Sequence, residues 1–297
     1  MHGYVMDDVW PGILNLVPRF GRGRLRQVCC LWRMALDRPC NWGDTTSADF
    51  GEYFRSACER GHLEAAQWLA TTFGLIADDV RADDNHILRW SCINGHLAVA
   101  RWLVAAFGLT AADARSSDNF ALRFSCGKGR LAVAQWLVKT FGLTADDARY
   151  DDNYALRFSC ANGRLDVAQW LVATFGLTAA DVRTHNNYAL RHTCGRGHLG
   201  AAQWLVATFG LTAADIRATD NWALHWSCAN DHLDMVQWLV ATYGLTADDG
   251  NEALRWACVD GHRRVAQWLM ATFGLKPRYE ECQPQQGAPA YISPEVR

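Results

Sequence analysis

Tyr154-Ala-Leu-Arg-Phe-Ser-Cys-Ala-Asn-Gly-Arg-Leu-Asp-Val-Ala-Gln-Trp-Leu-Val-Ala-Thr-Phe-Gly-Leu177 is the stretch that decides the fold. It is one copy of a unit written seven times. Its tryptophan recurs at Trp68, Trp102, Trp136, Trp170, Trp204, Trp238 and Trp268, spaced by 34 residues five times and then by 30. A fixed period of this length marks a stacked repeat architecture. Within the unit, Asn153 to Gly163 reads as a short helix. Asn is a good N-cap because its side-chain oxygen can accept from an orphan backbone N–H. Asn85, Asn119, Asn187, Asn221 and Asn251 hold the same slot. Gly163 ends this helix where positive φ is cheap. Leu165 to Phe175 reads as a longer helix, with Leu165, Ala168, Leu171, Val172 and Phe175 as its apolar stripe and Trp170 widening it. Gly176 closes it. Thr178 with Asp181 is then a Thr-x-x-Asp capping signature, repeated at Thr110/Asp113, Thr144/Asp147 and Thr212/Asp215. The finger joining one unit to the next is therefore expected to hold a short helical turn instead of a β-hairpin.

Outward from this unit, residues 46–275 form the array, and no proline falls within 49–275 although the chain has seven. At 297 residues a single core would be near its upper size, a limit that repeats escape because each touches only its neighbours. Half the residues are hydrophobic and 20% are charged, the balance of a folded chain. A net charge of −2 gives no electrostatic case for nucleic acid or an anionic membrane. No apolar run approaches the roughly 18 residues that span a bilayer, and Met1 to Asp8 lacks the basic start and apolar stretch of a signal peptide. Residues 276–297 hold four of the seven prolines and read as a disordered tail. The last unit loses four residues between Asp249 and Asn251, so its finger is expected to be truncated.

Seven of the eleven cysteines, Cys58, Cys92, Cys126, Cys160, Cys194, Cys228 and Cys258, occupy one slot per unit. Equivalent positions in stacked helices lie about 10 Å apart, beyond the roughly 7 Å between Cα atoms that a disulfide spans. They read as small buried thiols of an intracellular, cytoplasmic chain. No CxxC pair supports zinc. His62, His96, His198, His232 and His262 share a slot with Arg130 and Arg164, which points to a hydrogen bond between units and not to a metal ligand.

The helix–turn–helix–finger unit resembles an ankyrin repeat. Ala189-Leu-Arg-His-Thr-Cys-Gly-Arg-Gly-His-Leu199 echoes that family's Pro-Leu-His-x-Ala-Ala-x-x-Gly-His-Leu, and Val133-Ala-Gln-Trp-Leu137 echoes its Val-Val-x-Leu-Leu. The family's Thr-Pro is absent and the period is 34, not 33. The resemblance covers about 230 residues and implies an all-α solenoid of about seven repeats, whose fingers and first helices line a concave face that binds a protein target.

Residues 1–45 stand outside the repeat. Val9, Trp10, Ile13, Leu14 and Val17 make one helical stripe; Leu25, Val28, Cys29, Trp32 and Leu36 make a second. Leu25-x-x-Val28-Cys29-x-x-Trp32-Arg33 resembles the second half of an F-box, while Met6 stands where that family has proline. The resemblance implies docking of a Skp-type subunit of a cullin–RING ubiquitin ligase through Val9, Ile13, Leu14, Leu25, Val28 and Trp32. The other reading is a helical cap that covers the first repeat, as arrays require.

No P-loop, GxGxxG, HExxH or GxSxG is present, so neither catalytic residues nor a cofactor or metal site is expected. Function is sought where the units differ. The positions around the Asn slot vary most, and they supply Asp84, Phe120, Tyr150, Tyr154, His185, Tyr188 and Trp222 as a target-binding face. The alternative for the aromatics is packing between repeats. Two functions follow: a substrate-recruiting ubiquitin-ligase adaptor, or a free-standing binding scaffold or inhibitor.

Overall fold

The computed structural model describes residues 47–276, and every element among them is a helix. Residues 1–45, with their F-box-like stripes, and the tail from 277 onward lie outside the described residues. The described chain falls into two units. The first runs to Ser125 and takes in Arg130–Leu143; the second holds Cys126–Gly129 and everything from Thr144.

In the first unit, α1 (Ser47–Glu59) and α2 (Leu63–Phe73) form one antiparallel pair, and α3 (Ala77–Asn94) and α4 (Leu97–Phe107) the next. The one-turn α5 (Ala111–Ala114) leads into α6 (Ser116–Gly127), which α7 (Leu131–Phe141) follows. In the second unit, α8 (Ala145–Ala161) pairs with α9 (Leu165–Phe175). Then α10 (Ala179–Val182) leads to α11 (Thr184–Gly195) and α12 (Leu199–Phe209), and α13 (Ala213–Ile216) to α14 (Ala218–Ala229) and α15 (Leu233–Tyr243). The pair α16 (Ala247–Val259) and α17 (Arg263–Phe273) ends the array. First helices stack in the order α8, α11, α14, α16.

The sequence explains this stacking. In α9, Val167, Ala168 and Leu171 are buried, and Ala168 is small enough to let the neighbouring helix approach. The wider stripe expected from periodicity is half-buried: Leu165, Val172, Phe175 and Trp170 keep one edge in solvent. Trp170 meets the edge of Phe175 at 5.9 Å between centroids, and Trp136/Phe141, Trp204/Phe209 and Trp238/Tyr243 repeat that contact. Cys92, Cys126, Cys160, Cys194 and Cys228 are fully buried free thiols, as their register implies. Burial pushes their pKa values up, that of Cys160 to about 12, so they stay as unreactive thiols.

Gly163 ends α8 at φ 67°, and a Cβ there would stand 2.6 Å from His198 Nδ1. Both facts require glycine. The His/Arg slot thus fills the space over the preceding turn. His262 Nε2 lies 2.8 Å from the carbonyl of Ala229, and Arg130 Nε donates to that of Ile93 at 3.2 Å. These are the hydrogen bonds between repeats that the shared slot implied.

The fingers are helical. Thr178 closes a capping box in which the Asp181 carboxylate accepts from the Thr178 N–H at 2.7 Å and from its hydroxyl at 3.1 Å. Thr110/Asp113, Thr144/Asp147, Thr212/Asp215 and Thr246/Asp249 do the same.

The Asn slot is a correction. Asn85, Asn119, Asn153, Asn187 and Asn221 lie at a break inside α3, α6, α8, α11 and α14 and do not cap the helical part that follows. Each is the third of three consecutive residues at positive φ: Asp83-Asp84-Asn85, Ser117-Asp118-Asn119, Asp151-Asp152-Asn153, His185-Asn186-Asn187 and Thr219-Asp220-Asn221. A capping residue needs extended backbone, whereas these complete one left-handed turn. Their side-chain oxygens are buried and accept no hydrogen bond. Asn251 differs again, standing inside α16, which runs without a break. The four missing residues have removed the left-handed turn, and Gly250 makes room for Phe273.

Candidate functional site

A left-handed helical turn costs roughly 1–2 kcal/mol per residue for L-amino acids, least for Asn and Asp. Fourteen of the fifteen turn residues are Asp, Asn, Ser or Thr, His185 being the exception. What holds such turns is an arginine four residues after the Asn. Arg157 lies 5% exposed and donates through Nε to the carbonyl of Asp152 at 2.8 Å and through a terminal nitrogen to that of Asp151 at 2.8 Å. Arg191 makes the same pair to Asn186 at 2.6 Å and His185 at 3.1 Å. In the first unit, Arg89 donates to Asp83 at 2.7 Å and Arg123 to Ser117 at 3.5 Å. Sequence reading missed these arginines. Their signal was an Arg recurring at one register in a helix face otherwise filled with apolar side chains.

The same guanidinium groups lie over aromatic rings. In the second unit the rings run in series: Tyr154 stacks on Phe158 at 4.0 Å, Phe158 meets Tyr188 at 5.4 Å, Tyr188 stacks on His192 at 3.8 Å, His192 meets Trp222 at 4.5 Å, and Trp222 stacks on Trp226 at 5.0 Å. Arg157 sits 5.0 Å over Tyr188 and Arg191 5.1 Å over Trp222. Burial, with Arg191, Arg196 and Arg157 adding repulsion, lowers the pKa of His192 to about 3, so it serves as a neutral ring. In the first unit, Phe120 stacks on Phe124 at 4.0 Å beneath Arg89 at 4.9 Å.

The expected face is therefore split by burial. Tyr188 is 6% exposed and belongs to the packing between repeats, while Phe120, Tyr154 and Trp222 keep an edge open. Tyr150, 42% exposed, and Asp84 and His185 project from the turns. His185 Nε2 reaches Asp152 at 2.9 Å. Asp84 offers its backbone carbonyl to the Ser116 hydroxyl at 3.0 Å, which leaves its carboxylate outward. Within each unit the turns point most of their first and second side chains to solvent, Ser117 being half-buried, and bury the third, Asn221 being half-buried. Nothing in them assembles reacting groups.

No group of three or more His, Cys, Asp or Glu comes together to hold a metal ion among the described residues. No helix among them is long and apolar enough to cross a membrane.

A three-copy family model of ankyrin repeats matches residues 156–247 and 190–279, and a many-copy one matches 54–104 and 120–172. A solved structure of an ankyrin repeat family protein from Legionella pneumophila aligns over 83% of this chain and 80% of its own, at 15% identity and a TM-score of 0.37. No curated protein matches the chain.

Proposed function

The chain belongs to the ankyrin repeat family, a fold of protein-binding scaffolds, and from that premise we propose that its left-handed turns hold a protein target. One observation supports this most: the first two residues of the turns are mostly exposed and read Asp-Asp, Ser-Asp, Asp-Asp, His-Asn and Thr-Asp in chain order, whereas the Asn and the Asp of the capping box recur and arginine holds four of the five clamp slots. The recurring residues fix each turn; in the first unit Asp84 is presented with the open edge of Phe120, and in the second Tyr150 and His185 with the open edges of Tyr154 and Trp222.

In the fuller reading the chain is an adaptor. Residues 1–45 dock a Skp-type subunit through Val9, Ile13, Leu14, Leu25, Val28 and Trp32, and the array brings a target close to the ligase. The chain does no chemistry, and its contribution is effective concentration. The buried free thiols fit a reducing, intracellular compartment. The second reading, a free-standing scaffold, keeps the array and drops the ligase.

Co-purification of the full chain with the Skp-type subunit separates them. Retention that is lost in Val28→Asp plus Trp32→Ala supports the adaptor; no retention of the wild type leaves the scaffold. For the turns, Asp84→Lys with His185→Ala is expected to weaken target capture at least tenfold, while the exposed second-helix pair Gln169→Ala and Gln203→Ala leaves it unchanged. Equal capture by both variants removes these turns as binding surfaces.

A further inference from the structure

The five left-handed turns are not held equally. Four have the arginine clamp; at the fifth, Thr219-Asp220-Asn221, the residue in the clamp slot is His225. Its Nε2 is buried and bonds to nothing, so His225 does not give the carbonyls of Thr219 and Asp220 the donors that Arg157 and Arg191 give theirs. A second restraint is missing too. At two of the other four turns the next finger also lends a hydroxyl: Ser116 to the carbonyl of Asp84 at 3.0 Å, and Thr184 to that of Asp152 at 3.1 Å. The unit after the fifth turn has no such finger, because α16 runs unbroken from Ala247 to Val259. One tie remains, from Asn221 Nδ2 to Asp249 at 2.8 Å, and it holds the end of the turn and not its first two residues.

Strained backbone persists only where its surroundings over-determine it. We propose that Thr219-Asp220-Asn221 is the array's opening joint, a turn that leaves its left-handed form by local unfolding while the other turns of the second unit stay closed. Opening pivots on Asn221 and frees the backbone before Trp222, so the last of the turns can change shape while α14 and α15 stay packed. Such low-stability segments are where proteins adapt to ligands.

Amide hydrogen exchange on the full chain, read at single residues, tests this. The Asn221 N–H donates to the carbonyl of Arg217 at 3.2 Å, and the Asn187 N–H donates to that of Arg183 at 3.2 Å, so the two are matched reporters. Asn221 is expected to exchange about tenfold faster than Asn187. His225→Arg should slow Asn221 to the rate of Asn187, and Arg191→His should speed Asn187 about tenfold. Equal rates at the two amides in the wild type overturn the proposal, with no variant needed. Unchanged exchange at Asn221 in a folded His225→Arg protein also overturns it, since the missing clamp would then not be the cause.

Discussion

Asp181 shows how much one side chain carries. Its carboxylate accepts from the Thr178 N–H and hydroxyl and from Arg149 Nε at 2.9 Å, the arginine coming from the preceding repeat. Desolvation alone would raise its pKa, but the bonds from Arg149 and Thr178 outweigh that and hold it below the usual value. Asp215 with Arg183 and Asp249 with Arg217 are built alike. Asp181→Asn keeps the shape but loses the charge that the arginine pairs with. Hydrogen bonds to charged groups contribute about 1.5–3 kcal/mol each, and half-exposed arginines bring that to the low end. Asp181→Asn is therefore expected to cost about 2 kcal/mol, and Thr178→Ala about 1 kcal/mol; urea unfolding midpoints check both. Titration gives a second test. His192 has a lowered folded pKa, so the native state resists its protonation. Its contribution is complete above about pH 6.5 and is lost as pH falls toward about 3. Across pH 6.5 to 5 that loss approaches 2 kcal/mol. Phe124 and Phe158 fill the equivalent slots, so His192→Phe should fold and should flatten the fall in Tm between pH 7 and 5. A Tm slope identical to the wild type's over that range would show that His192 is not the group responsible.

At the scale of elements, the left-handed turn sets the design. Of the five turns in which all three residues have positive φ, four are held by arginines, and the guanidinium groups of Arg157 and Arg191 also cover aromatic rings. Removing the strain and removing the clamp should act in opposite directions. Asn186, at φ 54° with an exposed side chain, tolerates glycine. Asn186→Gly is expected to be neutral or to stabilise by up to about 1 kcal/mol, whereas Asn186→Val should cost about 2 kcal/mol because a β-branched side chain meets the backbone there. Arg157→Ala should cost at least as much, since two carbonyls and three rings, those of Tyr154, Phe158 and Tyr188, lose their partner. Thermal unfolding of the three variants side by side decides the order. This element also marks the limit of what the sequence discloses. The helix pair, the glycine stops, the buried cysteines and the Thr-x-x-Asp boxes were legible because each rests on local spacing or on one residue type. The left-handed turn was not. Its Asp and Asn residues suit an N-cap as well as an αL turn, and only the arginine four residues later distinguishes the two. The aromatic slots were ambiguous for a similar reason. Tyr154 and Tyr188 are the same residue in the same register, yet Tyr188 is buried by Phe158 on one side and His192 on the other.

At the scale of the whole molecule, stability rests on the period. If each repeat is stabilised by its neighbours, one period can be removed without loss of folding, provided the joint is in phase. Deleting residues 179–212 joins Thr178 directly to Ala213-Ala214-Asp215. That restores the Thr-x-x-Asp box, and it brings Arg149 to the repeat that follows, where Asp215 now stands in the place of Asp181. His198 and its contact over Gly163 leave with the deleted period, and His232 takes that slot. The shortened chain should keep its ellipticity per residue and unfold in one transition. Its urea m-value should fall by about 15%, in proportion to the surface that no longer becomes exposed. Deleting 179–195 instead removes half a period and joins Thr178 to Arg196-Gly-His-Leu199. The capping carboxylate is lost, and a second helix is placed where a first helix must stack. That chain should lose cooperative unfolding. If both deletions unfold alike, the repeats do not exchange neighbours in register, and the nearest-neighbour account of this array fails.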